Sequence, residues 1–533
     1  MIYELYCEKR CIFVFKNHLL TTMKKILSLI IAILSVLSIQ AQKKSLADYP
    51  EVQLGKCADG KPFMCHFVST DGEVKKLQLF SNAPLFLMGD KNGNKLFNTE
   101  TLEEIAEPTL KNQRLIYANM AGYMTYSLGK MFSFRYGQPT FFNLKGEKVW
   151  TTKDELVLLD ETRQVTICSG NRKGDLFTAY ETTTGKPLWH KTITGKIHYP
   201  WTDIFDDNSD SIIYIMGDSL IRLNVVTGDT LRHAFTAGIK EPLKSRLSFA
   251  KPRYTLPSSD FVNEAIFSVG MGAILTGTHS NIIFSGDSLF VADAEHLYCL
   301  DKDLKTRWTT DLPAQCGSKS SLKIYGDKIY MQNYGIAFQN QLVGRCGRPF
   351  TAIYDRNTGK QLSLAMIDIK KKVIGGIIVR GRTYWQTDNQ FFYNEEGDST
   401  VHEIKWKPNT THSPQEDFPN FVICDTVKIV KNGIPENVMT NNNQLLVEVY
   451  GQDVNMIKAD GSCELLPADS VYFHDTRDVY STNNEDRANT FIIIDPKTQK
   501  IKYTIHLKGK VSQDKFGNIY VATQQGVGFH QKE

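Results

Sequence analysis

The stretch 179-AYETTTGKPLWH-190 decides the fold, because versions of it return along the chain. It reads as a strand, a polar turn that ends in Gly-Lys, and a short second strand that closes on Trp189. In other versions Asp or Asn opens the turn, since its side chain can hydrogen bond the backbone two residues on. Glycine closes the turn because the backbone needs a positive φ there. Each version therefore predicts a two-stranded hairpin.

The hairpins recur at a nearly regular step. The step from Gly146 to Gly185 is 39 residues and the step from Gly185 to Gly228 is 43, while longer steps elsewhere indicate insertions. Leu304 takes the glycine slot four residues before Trp308. We expect each closing Trp to pack between neighbouring sheets. The structural repeat positions are Gly146, Trp150, Gly185, Trp189, Gly228, Trp308 and Gly359.

A second hairpin with a Gly-Asp turn precedes several copies, as in 212-IIYIMGDSLIRLN-224 and 282-IIFSGDSLFVAD-293. Two hairpins make a four-stranded sheet, and no such sheet can cover its own apolar faces, so the sheets must stack. Four-stranded units repeated about every 40 residues are typical of a β-propeller. The sequence predicts an all-β fold with a single β-propeller of about eight four-stranded blades, seven being the alternative. We expect the C-terminal strands to close the ring by pairing with early strands.

Two segments, 176-LFTAYETTTGKPLW-189 and 350-FTAIYDRNTGKQL-362, resemble the blade signature of the pyrroloquinoline-quinone-like β-propellers. The segment 514-DKFGNIYVAT-523 resembles a related repeat of other propellers. The resemblance implies the fold and says little of function. Quinone-dependent members that oxidise alcohols have two adjacent cysteines, a calcium site and a catalytic Asp. No two cysteines are adjacent here, so the resemblance points to the non-enzymatic branch, with no cofactor and no catalytic residue carried over.

The N-terminal region reads as a targeting segment. Two lysines precede an apolar run that ends shortly before Ala41, which is the layout of a secretory signal peptide. A transmembrane helix would need about 20 apolar residues, and this run is shorter. We predict an upstream extension that is not native at 1–22, a signal peptide at 23–41, a lead-in at 42–84 and the propeller at 85–533. No Cys follows the apolar run, so the predicted location is the periplasm or the exterior, without a lipid anchor.

Charge and cysteines limit the partners and the metal chemistry. The net charge of +4 falls to +1 without residues 1–41, which hold five Lys/Arg and two Asp/Glu. A net charge this close to zero does not indicate binding to nucleic acid or to an acidic membrane surface. The lack of a Cys-x-x-Cys or Cys/His spacing speaks against zinc. Cys57 and Cys65 flank a candidate hairpin tip and form the one nominated disulfide, buried free thiols being the alternative.

Three apparent catalytic or metal motifs have better structural explanations. Gly-Asp-Ser-Leu occurs twice and would offer Ser219 or Ser288 as a nucleophile, with Asp293 and His296 near the second copy, but both copies lie between strand-like runs. The segment 90–101 departs from a calcium loop at its sixth and twelfth positions. The histidines form no metal motif, although His190, His198 and His233 fall near blade edges and could meet in space. The sequence therefore predicts no catalytic, cofactor-binding or metal-binding residue.

Two long interruptions of the repeat, 234–275 and 405–420, are rich in Pro, Ser and Asn and are predicted to be loops. Long loops on a rigid scaffold often carry function, although a purely decorative insertion is equally in keeping with them. The sequence favours an exported, monomeric binding or scaffold module of the bacterial envelope that holds a protein or a glycan. The alternative is an enzyme, either a quinone-dependent dehydrogenase or a polysaccharide-active enzyme, with its site on the propeller face.

Overall fold

The computed structural model describes residues 45–235, 248–249, 279–405 and 501–531 apart from short gaps, and the backbone of strands between 421 and 494. The predicted extension and signal peptide at 1–41 lie outside these residues. After a short 3-10 helix (Leu46–Asp48), the strands β1 (Glu51–Cys57) and β2 (Pro62–Ser69) pair antiparallel. Seven four-stranded sheets follow in the described chain, which we call blades and number in chain order.

The first four blades consist of consecutive strands, each paired antiparallel with the next. Blade 1 has β3 (Lys76–Leu79), β4 (Leu85–Gly89), β5 (Asn94–Asn98) and β6 (Glu104–Ala106). Blade 2 has β7 (Gln113–Asn119), β8 (Gly122–Ser127), β9 (Pro139–Asn143) and β10 (Lys148–Thr151). Blade 3 has β11 (Glu155–Asp160), β12 (Val165–Ser169), β13 (Leu176–Glu181) and β14 (Pro187–Thr192). Blade 4 has β15 (Ile204–Asp206), β16 (Ile212–Met216), β17 (Ser219–Asn224) and β18 (Thr230–Ala234).

Three further blades follow an insertion that contains β19 (Ser248–Phe249). Blade 5 has β20 (Ile283–Ser285), β21 (Ser288–Ala292), β22 (His296–Asp301) and β23 (Thr306–Asp311). Blade 6 has β24 (Ser320–Tyr325), β25 (Lys328–Asn333), an inserted hairpin of β26 (Ile336–Gln339) and β27 (Leu342–Arg345), then β28 (Phe350–Asp355) and β29 (Gln361–Met366). Blade 7 has β30 (Gly375–Val379), β31 (Arg382–Gln386), β32 (Phe391–Asn394) and β33 (His402–Glu403).

The C-terminal strands close the ring as expected, because β45 (Gly526–His530) pairs with β2 over His66–Ser69. The closing blade consists of β43 (Gly509–Gln513), β44 (Ile519–Thr523), β45 and β2. Two residue pairs between β1 and β42 (Ile501–Leu507) join it to its neighbour in one eleven-stranded sheet. The remaining strands are β34 (Phe421–Ile423), β35 (Val430–Lys431), β36 (Ile434–Pro435), β37 (Leu445–Val449), β38 (Val454–Ile457), β39 (Cys463–Leu466), β40 (Val471–Phe473) and β41 (Asn489–Ile494).

The predicted boundary at residue 85 falls inside blade 1, since β3 pairs with β4, and the lead-in also supplies β2 to the closing blade. Blade 1 therefore begins before that boundary.

The core is a series of apolar layers between consecutive blades. Phe86 and Phe529 stack between the closing blade and blade 1, and Trp189 and Ile213 pack between blades 3 and 4. Similar buried clusters link blades 1 and 2, 2 and 3, 4 and 5, 5 and 6, and 6 and 7. In the described part of the chain, consecutive blades therefore hide their apolar faces against one another, and the predicted all-β propeller of about eight blades is confirmed.

Candidate binding face

The strand order gives the ring two different faces. Turns between the first and second strands and between the third and fourth strands of a blade lie on one face, which we call the lower face. Connections between the second and third strands and between consecutive blades lie on the other, the upper face. The innermost strand of each blade lines the centre, and the fourth strand is at the rim. The repeat turns at Gly146, Gly185, Gly228 and Gly359 all lie between the third and fourth strands of their blades, on the lower face.

The repeat glycines and tryptophans on the lower face hold adjacent blades together. Gly185 of blade 3 has φ +71°, and a Cβ built on it would lie 2.4 Å from Trp150 of blade 2. The Nε1 of Trp150 donates to the carbonyl oxygen of Thr182 at 2.9 Å. Gly228 lies against Trp189 in the same way, and that indole donates to the carbonyl oxygen of Val225 at 2.8 Å. These residues serve the packing and leave no open site.

Where the preceding blade lacks a tryptophan, the packing at the turn changes. Blade 4 has Arg232 in the slot of the closing aromatic, and blade 5 then carries Leu304 in the glycine slot, with φ +63° and a buried side chain. Gly359 of blade 6 follows Trp308, and a Cβ there would lie 2.5 Å from that ring. A leucine therefore fills the volume that a neighbouring indole would otherwise occupy, at the expense of an unfavourable backbone conformation.

The two Gly-Asp-Ser-Leu copies are not equivalent turns. The first connects β16 with β17 on the upper face, and the second connects β20 with β21 on the lower face. Ser219 Oγ accepts a hydrogen bond from Arg232 Nε at 2.7 Å, and Ser288 Oγ accepts one from Arg307 at 2.8 Å. Ser288 and Asp293 stand at opposite ends of β21, roughly 16 Å apart for a five-residue strand. The geometry gives no support to a serine nucleophile.

The calcium-like segment is a hairpin turn. Asp90 Oδ1 accepts hydrogen bonds from the backbone amides of Asn92 and Gly93, at 2.7 and 3.2 Å, and therefore points at its own loop. Among the residues that the structure describes, no group of three His, Cys, Asp or Glu side chains could hold a metal ion.

Cys65 is a free thiol, contrary to the predicted disulfide with Cys57. The reason is the register of the hairpin, in which Cys65 faces Val52 while the neighbour of Cys57, Lys56, faces Pro62. Burial raises the pKa of Cys65 to about 12, so its thiol stays protonated and unreactive.

Two segments far apart in the chain meet on the upper face. The hairpin β26–β27 extends blade 6 beyond β25, and β19 from the predicted loop 234–275 pairs with β27, Ser248 opposite Val343 and Phe249 opposite Leu342. The insertion after blade 4 is thus anchored on blade 6 by backbone hydrogen bonds. The second predicted loop, 405–420, lies outside the described residues except for Lys405.

A polar cluster at the upper ends of blades 4 and 5 comprises His233, Asp293, His296 and Tyr298; we call it the His-Tyr cluster. The buried carboxylate of Asp293 accepts hydrogen bonds from the backbone amide of His296 at 2.7 Å and from the hydroxyl of Tyr298 at 2.9 Å. His296 Nδ1 lies 3.2 Å from that hydroxyl, and the ring of His233 meets the ring of Tyr298 edge-on with centroids 4.8 Å apart. The cluster therefore places two imidazoles, one from β18 and one from the start of β22, against one hydrogen-bonded phenol.

Sequence reasoning singled out each histidine without placing the cluster. His190 hydrogen bonds Thr178 within blade 3, and His233 contacts Tyr298 of blade 5. His198 lies outside the described residues, so the suggested meeting of the three histidines stays a prediction. The cluster could have been predicted from the alternation of side chains along β22. This alternation places His296 and Tyr298 on the same side of the strand, next to the turn that contains Asp293.

Burial lowers the pKa of His233, and the charge of Asp293 opposes that shift only in part. The unfolded chain then takes up a proton near pH 6.5 before the folded chain does, so stability falls as the pH drops below that value. We expect the melting temperature to fall less between pH 7.5 and 5.5 in His233→Phe than in the wild type. His190→Phe, in the same slot of blade 3, is the control that keeps the wild-type slope. Equal slopes in all three proteins would contradict the role of His233.

No helix in the described ranges combines the length and the apolar character needed to span a bilayer. No family model matches the chain, and no curated protein matches it.

Solved structures give matches at low similarity. BamB from Moraxella catarrhalis is 11% identical, with 79% of this chain and 94% of that chain covered and a TM-score of 0.30. The dihydro-heme d1 dehydrogenase NirN in complex with DHE is 10% identical, covering 88% of this chain and 81% of that one, with a TM-score of 0.30. The computationally designed Ika8 protein is 10% identical over 66% of this chain and 89% of its own, with a TM-score of 0.27.

Proposed function

We propose that this chain is an exported binding or scaffold module of the bacterial envelope, which holds a protein or a glycan on the upper face of its propeller. One observation carries the proposal. The β19 segment and the β26–β27 hairpin, about ninety residues apart in the sequence, pair into one small sheet on that face. Backbone pairing between two insertions fixes them relative to the blades, as a binding surface requires.

The side chains at the same end of the molecule support binding rather than nucleophilic catalysis. The His-Tyr cluster holds its phenol and carboxylate in hydrogen bonds to each other and to the backbone. Such fixed polar groups orient a ligand. Of the two serine candidates, Ser288 lies at the other end of β21, and Ser219, on the upper face, accepts a hydrogen bond from Arg232. We also propose that the protein is monomeric and is exported by the signal peptide at 23–41. The sequence supports both points.

The test replaces the hairpin 336–345 by a Gly-Ser linker and compares capture of envelope proteins and binding on a glycan array with the wild type. We expect the variant to fold and to lose a ligand that the wild type retains. The matched control replaces the turn 90–93, also on the upper face, in the same way and keeps the ligand. If the hairpin variant bound every ligand as the wild type does, or if the wild type turned over a polysaccharide or reduced a dye with added quinone, the proposal would fail.

A further inference from the structure

Met120 is an exposed methionine on the lower face of the ring. It lies in the turn between β7 and β8, the first and second strands of blade 2, and is 53% exposed. Four other methionines are 3% exposed or less: Met88, Met124, Met216 and Met331. Met64 and Met366 are partly buried. Among the methionines whose side chains the structure describes, Met120 is therefore the most accessible to solvent and to small reagents dissolved in it.

A buried amide of blade 1 holds the sulfur of Met120 on one side. Asn98, the last residue of β5, is 3% exposed, and its Nδ2 donates a hydrogen bond to Met120 Sδ at 3.4 Å. The Oδ1 of Asn98 accepts hydrogen bonds from the backbone amides of Glu100 and Thr101, at 2.8 and 3.1 Å. These two bonds fix the orientation of the side chain, so that its NH2 group is directed from blade 1 to the sulfur on blade 2.

The contact distinguishes the two lone pairs of the thioether. Addition of oxygen to one lone pair or to the other gives the two epimers of methionine sulfoxide. The Asn98 amide occupies one lone pair of Met120 and lies between it and the solvent. The second lone pair points away from that donor, and an oxidant can approach it from the exposed side of the turn.

We propose that Met120 is a modification site for peroxides, and that Asn98 makes its oxidation stereoselective. The sulfur attacks one oxygen of hydrogen peroxide through the lone pair that faces away from Asn98, so that an S–O bond forms and the O–O bond breaks. The sulfur loses two electrons, which reduce the peroxide. The departing hydroxide takes the proton of the transferred hydroxyl group and leaves as water, and the methionine becomes one epimer of the sulfoxide.

The modification is reversible, since methionine sulfoxide reductases return the sulfoxide to the thioether. It converts an apolar side chain at the blade 1–blade 2 junction into a polar one. This site goes beyond the proposed function, because Met120 lies on the lower face and the ligand is proposed for the upper face. It stands whether or not the hairpin of blade 6 binds a partner.

Dilute hydrogen peroxide on the folded protein, followed by tryptic digestion and mass spectrometry, tests the site. The tryptic peptide 115–130 carries Met120 together with Met124, which is buried and serves as the internal reference. We expect Met120 to be oxidised at least about tenfold faster than Met124, which reacts only when the blade opens. In urea the two residues should react at similar rates.

The epimers are assigned by treating the digest with methionine sulfoxide reductase A or B, each of which reduces one epimer. For Met120 of the folded wild type, we expect one epimer in about three- to tenfold excess, the bias that a hydrogen bond of modest net strength gives. Protein oxidised in urea should give nearly equal amounts, because the unfolded chain does not hold the amide against the sulfur.

Asn98→Asp is the matched variant, because it removes the NH2 donor and keeps the oxygen that accepts from the turn. Asp355 fills the same slot in blade 6 and accepts from the amides of Asn357 and Thr358, so the turn tolerates aspartate. The variant should still be oxidised at Met120, but with the two epimers in nearly equal amounts. The proposal is overturned if Met120 reacts no faster than Met124 in the folded wild type, if the folded wild type gives equal epimers, or if Asn98→Asp keeps the full excess.

Discussion

Replacing Trp189 by alanine is expected to lower the free energy of unfolding by about 3–5 kcal/mol. The ring is 7% exposed, lies in the apolar layer between blades 3 and 4, and donates from Nε1 to the carbonyl oxygen of Val225. Alanine would leave a cavity against Gly228 and remove the donor for a buried carbonyl. Urea unfolding followed by tryptophan fluorescence and circular dichroism measures the change.

Leu188 provides the matched control for this prediction. It is the residue before Trp189 on the same rim strand, but its side chain is 38% exposed and points away from the apolar layer. Leu188→Ala is therefore expected to change the stability by no more than about 0.5 kcal/mol. A loss of equal size in both variants would show that the indole does not join the blades, and the explanation of the repeat by blade docking would be wrong.

The turns of the lower face could be predicted from the sequence, because the residues of each turn determine its backbone conformation. The turn glycines at 146, 185, 228 and 359 all adopt positive φ, as the turn pattern predicts. The closing strand pair could also be expected, because an open ring would leave two unpaired edges. Even the exception at Leu304 is visible in the sequence, since Arg232 replaces the aromatic in the preceding copy.

The upper face could not be predicted in the same way. The pairing of Ser248 with Val343 joins two insertions that carry no shared motif, and only the folded ring brings them together. The Gly-Asp turns at 217 and 286 look identical in the sequence, yet they lie on opposite faces, because the first follows the second strand of its blade and the second follows the first strand.

The two faces of the ring differ in how their connections are held. On the lower face some turns lie directly against the preceding blade, as Gly185 does against Trp150 and Gly228 against Trp189, so a change there costs stability. The connections on the upper face accept insertions such as the β26–β27 hairpin. If the upper face binds the proposed ligand, its contacts can vary while the ring stays closed.

Gly185→Ala is expected to destabilise the protein by about 2–4 kcal/mol, through two separate effects. The residue has φ +71°, which costs any residue with a Cβ about 1–2 kcal/mol, and the new methyl group would lie 2.4 Å from Trp150. Either the indole must move or the turn must open, and both changes loosen the junction of blades 2 and 3.

Gly146→Ala separates the two effects, because Gly146 occupies the same turn of blade 2 with φ +81°, and its nearest neighbour would be the hydroxyl of Tyr123 at 3.8 Å. This variant meets only the backbone cost, about 1–2 kcal/mol. The difference between the two variants, measured by urea unfolding, is therefore the cost of crowding the indole. It should vanish when both are made in a Trp150→Ala background, since the ring that the methyl group meets is then gone. A difference that persists in that background would mean that the turn itself, and not the tryptophan beneath it, requires glycine at 185.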